Sequence, residues 1–179
     1  MIAMRHNLFT IPFFVDEVDL KKITIIDKGQ KPTFRSRVHT SLHCDKEITE
    51  DTMVYLSSII ARHIDSLGIT YHRAEIGEIW RNTYTQSDFQ EPHIHPFSQW
   101  SFIIYESVEK SKTVFLNPYR ASVQTQMPMY KEFFVEEWCP ELKAGSIIIF
   151  PSFIEHYVLS GNTGSTIAGN VFLTMSWEN

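Results

Sequence analysis

Apolar positions along this chain follow two periods. Between residues 49 and 68 they recur every three or four residues, at Met53, Leu56, Ile60, Ile64 and Leu67, which lines up one stripe along an α-helix. Thr49 stands where an N-cap is needed, Glu50 and Asp51 fill the first turn where the helix dipole favours acid, and Gly68 suits the left-handed residue that ends a helix. The pattern predicts a helix over 49–67 that braces a sheet. Elsewhere the apolar runs are short or alternating. Residues 7–19 predict an edge strand and a turn, and residues 21–40 read as two short strands around Gly29-Gln30-Lys31-Pro32. Further strands are predicted at 71–82, 99–107, 112–117, 145–150, 155–159 and 165–177, separated by turn signals such as Asn117-Pro118, Lys143-Ala144-Gly145 and Ser160-Gly161-Asn162. Short strands at even spacing predict a sandwich or barrel. The expected fold is mainly β and double-layered over residues 71–179, with N-terminal strands and the helix in residues 1–70.

At 179 residues one domain is expected. Aromatics reach 13% against only 7 Gly, which favours β-rich packing and leaves room for a homodimer. The formal net charge of −5 gives no basic field for a phosphate backbone, so nucleic acid is disfavoured as a partner. Cys44 and Cys139 have no metal-binding spacing and read as reduced thiols of a cytoplasmic protein. No apolar run is long enough for a signal peptide core or a membrane span.

Five of the eight histidines, His6, His39, His43, His63 and His72, carry no pattern and read as surface or satisfied core residues. His93 and His95 differ. Two residues apart in a strand, their imidazoles point to one face and can share a ligand. His156 follows a glycine-started apolar strand closed by Pro151, so a hairpin can return it to the pair. Three such donors with open positions opposite suit a non-haem iron(II) centre, where two His and one carboxylate are usual. Here His95 takes the carboxylate's place, and Glu91, Glu155 or Asp88 could add an acid around the ligands.

The segment 80–105, with Asn82, Tyr84, His93-Ile94-His95-Pro96, Ser101 and Tyr105, resembles the 2-oxoglutarate/iron(II) oxygenases of bacteria and phages. Gly145 through Phe150-Pro151-Ser152 to His156 is similar to that family's distal segment, Asn117-Pro118 to its Asp-Pro, and Leu8-Phe9-Thr10-Ile11-Pro12 to its opening. The resemblance implies a double-stranded β-helix (a jelly roll, cupin-like) and iron(II) held by His93, His95 and His156 with 2-oxoglutarate on the same metal. It further implies co-substrate contacts from Asn82 and Tyr84, with Tyr105 as a second candidate, and oxygenation of a small-molecule or side-chain substrate. Phe89, Phe97, Trp100 and Phe153 would form the wall that shields the centre.

The sequence departs from the family at one point. The arginine expected nine to eleven residues after the distal His is missing, and Gly164-Ser165-Thr166-Ile167 stands there. Lys112 or Arg120 would have to supply a cation from another wall. Two other readings compete: a cupin-like three-His metalloprotein without 2-oxoglutarate, and a non-catalytic jelly-roll binding module.

Overall fold

The structure, a computed structural model, describes residues 10–130 and 132–175. Helix α1 (Glu50–Asp65) starts where its cap allows: Thr49 is extended and its hydroxyl accepts from the Thr52 backbone N–H at 3.3 Å. Gly68 follows the helix end with φ +70°. Leu56, Ile59, Ile60 and Ile64 form the buried face, while Leu67 is exposed beyond the last turn. Thr52, wholly buried, accepts from the Thr24 backbone N–H at 2.8 Å and donates to the Lys22 carbonyl at 3.2 Å. Thr52→Val keeps the shape and strands both partners, so it is expected to cost about 1–3 kcal/mol in a denaturant titration.

The strands form two main sheets. The larger contains β1 (Phe14–Glu17), β3 (Lys31–Thr33), β4 (Val38–Thr40), β6 (Arg73–Tyr84), β8 (Trp100–Tyr105), β11 (Ser146–Pro151) and β13 (Gly164–Thr174), in the order β1-β11-β8-β13-β6-β4-β3. The smaller contains β7 (Gln90–His93), β9 (Thr113–Leu116), β10 (Glu137–Trp138) and β12 (His156–Val158), in the order β10-β9-β12-β7. Strands β2 (Ile25–Asp27) and β5 (Lys46–Ile48) pair separately. A short helix, α2 (Arg120–Gln126), follows β9.

The central strands of the larger sheet are buried on both faces, which explains their continuous apolar runs. Phe102, Ile104, Ile147, Ile149, Ile167 and Val171 face α1. Ile103, Tyr105, Ile148, Phe150 and Ala168 face inward, where Phe115 of β9 and Ile154 meet them. Gly169 stands opposite Phe102 on β8, and a Cβ there would collide with the Phe102 ring. This two-sheet jelly roll with an outer brace is the double-stranded β-helix expected.

Several expectations shift. Residues 7–9 of the expected first strand and 176–177 of the last lie outside the described residues. Region 21–40 holds three strands, and its hairpin turns at residues 34–37, where Phe34 and Arg37 take positive φ, instead of at Gly29–Pro32. Strands β5, β7 and β10 and helix α2 add to the expected set, and His95 lies beyond the end of β7 instead of sharing a strand with His93. No helix of the described residues is long and apolar enough to cross a membrane.

Candidate metal centre

Strands β7 and β12 run antiparallel, and their register sets His93 directly opposite His156. His95 lies two residues past His93, beyond the end of β7, and its backbone N–H donates to the Ser152 carbonyl at 3.1 Å. The turn between β11 and β12, which carries the chain from one sheet to the other, thereby also fixes His95. One ring nitrogen from each of His93, His95 and His156 lies within 4.8 Å of the others, and ring centroids are 4.3–5.6 Å apart. The structure thus brings together the three histidines singled out in the sequence.

Each ring is held from behind. The Nδ1–H of His93 donates to the Glu91 carbonyl at 2.7 Å, and that of His156 to the Ile154 carbonyl at 3.0 Å. His95 Nδ1 sits 2.7 Å from Asn170 Oδ1 and 3.0 Å from Ser101 Oγ. Ser101 reaches Ser152 Oγ at 2.8 Å, as does Ser98. With Nδ1 engaged, Nε2 is the free lone pair of all three rings, the tautomer a metal ligand needs.

Burial pushes all three imidazoles toward the neutral form. It lowers His95 to about 4 against the opposing Asn170 hydrogen bond. It lowers His156 well below the usual range, and the neighbouring rings add to the effect. His93 is also lowered by burial, with the Glu91 carbonyl bond and the Glu91 and Glu155 charges opposing. Three uncharged nitrogen donors around one point can hold a transition metal.

The carboxylates expected near the ligands have partners elsewhere, although Glu91 Oε2 is buried without one. Glu91 accepts from the Arg35 backbone N–H, Glu155 pairs with Arg120 at 2.6 Å, and Asp88 caps the Thr85 backbone N–H at 2.6 Å. The side chains of Glu91 and Glu155 act on His93 through their charge.

The histidines open onto a cavity of about 440 Å³, a size that holds a small ligand. Asn82 and Tyr84 line it. Tyr105 does not; its ring is buried between the sheets, its hydroxyl accepts from Ser111 Oγ at 3.0 Å, and burial pushes the phenol up to about 12. Lys112 does not line it either. Its strand neighbour Thr113 does, and consecutive residues of an extended chain face opposite ways. Of the expected shielding wall only Phe97 borders the cavity; Trp100 packs beside α1, Phe153 borders another depression, and Phe34 and Trp80 supply the ring contacts near His93 and His95. Ser101 stands in the sequence motif without an assigned role, and Asn170 was not singled out; a polar residue in phase with the inward-facing Ala168 was the available signal for it.

Residues 78–168 match the family model described as "Putative 2OG-Fe(II) oxygenase". No curated protein matches the chain. Among solved structures, an oxidoreductase of the 2OG-Fe(II) oxygenase family from Burkholderia pseudomallei is 11% identical, with a TM-score of 0.56 over 80% of this chain and 73% of that one. A Pseudomonas putida prolyl-4-hydroxylase is 12% identical, with a TM-score of 0.52 over 95% of this chain and 96% of that one. At such identities the two structures speak for the fold alone. The family match covers just over half of the sequence and includes all three converging histidines, so the chain belongs to the 2OG-Fe(II) oxygenase family, enzymes that use iron(II) and 2-oxoglutarate.

Proposed function

We propose that His93, His95 and His156 are the iron ligands of this oxygenase and that Asn82 and Tyr84 face the co-substrate. The observation that carries the reading is the convergence of three neutral rings, each with Nδ1 already bonded outward and Nε2 left for a metal. A buried acceptor supports the co-substrate side: Asn82 lines the cavity, and its buried Oδ1 has no hydrogen-bond partner. Iron(II) with 2-oxoglutarate would supply the oxidising chemistry, with dioxygen as the oxidant shared between the oxo acid, which loses carbon dioxide, and the substrate. The protein's own part is to hold ligand tautomers and exclude water. Asn170 and Ser101 fix the His95 ring, and Phe34 and Trp80, with ring centroids 5.3 Å from His93 and 5.4 Å from His95, limit water beside the ligands.

The substrate is read as a small molecule or a side chain. Glu78 and His43, paired at 3.1 Å, and the exposed Phe97 ring border the cavity; this suits a neutral or cationic group better than a phosphate chain. Free Cys44 and Cys139 fit a reducing, cytoplasmic setting.

Anaerobic addition of iron(II) and then 2-oxoglutarate is expected to raise a weak visible charge-transfer band that a chelator removes. Bound iron with no band favours a three-His metalloprotein without 2-oxoglutarate, and no bound iron overturns the reading.

A further inference from the structure

The inner end of the cavity is lined by side chains that are buried and uncharged. On the β6/β13 ladder Asn170 faces Glu78, Ala168 faces Trp80, and Thr166 faces Asn82. The first of these steps holds His95 through Asn170; the last leads away from it, to Tyr84, Gln90 and Thr113. The Tyr84 hydroxyl donates to Gln90 Oε1 at 2.6 Å, with the Thr166 and Asn82 side chains beside its oxygen. Asn82 Oδ1 is buried there as an acceptor without a donor.

Among the described residues no Lys or Arg lines the cavity. Lys112 is out of phase with Thr113. Arg120 is tied to Glu155, and Arg81 lies on the other face of β6, bonded to Asp27 and Glu106. A carboxylate placed here would bring charge without a counter-charge and no proton for Asn82 Oδ1. An amide or hydroxyl would bring that proton.

We infer that this inner subsite selects the tail of its 2-oxo acid by hydrogen bonding and not by charge, so that 2-oxo acids with a neutral, hydrogen-bond-donating tail bind alongside 2-oxoglutarate. The inference rests on the placing of metal and co-substrate proposed above.

The test is anaerobic titration of the iron(II) protein with 2-oxoglutarate and with 2-oxoglutaramate, its far-end amide, reading the charge-transfer band. The amide is expected to bind within about tenfold of the acid or more tightly, where a guanidinium anchor would separate the two by more. Asn82→Leu, checked for folding by its melting midpoint, is expected to move the affinity ratio toward the acid by about threefold or more. A band with 2-oxoglutarate alone, preference for the acid by more than tenfold, or a ratio unmoved in a folded Asn82→Leu protein overturns the inference and leaves the metal site standing. No band with either acid overturns both.

Discussion

His156→Ala is expected to lower iron(II) affinity by more than about hundredfold, beyond the loss that removal of a hydrogen-bond partner of a ligand causes. His156 is wholly enclosed, with its ring 4.3 Å from His93, 5.1 Å from His95 and 5.0 Å from Phe150 between centroids. Its loss leaves two imidazoles, and no carboxylate among the described residues joins the group to replace it. Alanine also opens a cavity at the sheet interface. His156→Gln, which keeps most of the volume, separates lost ligation from lost packing. Asn170→Ala gives the graded comparison: His95 keeps its place through Ser101 but loses its closest Nδ1 partner, so affinity should fall about tenfold to hundredfold. Equilibrium dialysis against iron(II) under argon reads all three variants. Stoichiometric iron in a folded His156→Gln protein would sink the ligand assignment.

The helix was legible because local chemistry and tertiary need agree. Thr49 caps it, Gly68 ends it, and the stripe between them meets the sheet. The central strands were legible through their turns and not through alternation. Trp100–Tyr105 is buried at all six positions, so the period-two signal is erased by burial on both faces. The N-terminal hairpin was misread for a tertiary reason. β4 is fixed by its ladder to β6, with Thr40 opposite Asn82, and the chain turns where that ladder demands. Phe34 and Arg37 accept positive φ there, although glycine is the residue that favours it. Strands β5 and β10, at three and two residues, are too short to carry a period at all.

At the site, the three converging histidines were legible because His-Ile-His and the Pro151–His156 turn are local signals. The groups that orient the rings were not. Ser101 and Asn170 stand in register on neighbouring strands; Asn170 lies 75 residues from His95, and Ser101, six residues away, meets the ring only because the chain turns back between them. Lys112 shows the reverse case. Only the missing arginine after His156 points to it, and Thr113, next in the chain at the start of β9, takes the place on the cavity wall.

Arg81→Ala is expected to destabilise the fold by about 3 kcal/mol, the lower end of what unpairing a buried charge costs because the group is not fully dry. For a chain of this length that is a fall in melting midpoint of about 6–12 °C. Arg81 Nε and Nη2 grip both oxygens of Glu106 at 2.7 and 2.9 Å, and Nη1 bonds Asp27 and the Ile25 carbonyl. One side chain therefore joins β6, the end of β8 and β2, on the sheet face turned away from the histidines. Removing it leaves two carboxylates facing each other's charge in a poorly hydrated place, and lysine, with no fork to match both, should recover only part of the loss. The effect depends on pH in a defined direction. Burial raises the Glu106 carboxyl, but the hydrogen bonds from Arg81 and Ser165 outweigh it and hold the group below the usual carboxylate range. A carboxyl lowered in the folded state contributes stability that is fully present above its unfolded pKa and is lost as pH falls through the folded one. The gap between wild type and Arg81→Ala should thus be widest near neutral pH and close in acid, while iron binding at temperatures where both are folded stays unchanged. A gap under about 1 kcal/mol at pH 7, the scale of an exposed pair, would mean that solvent already screens the cluster.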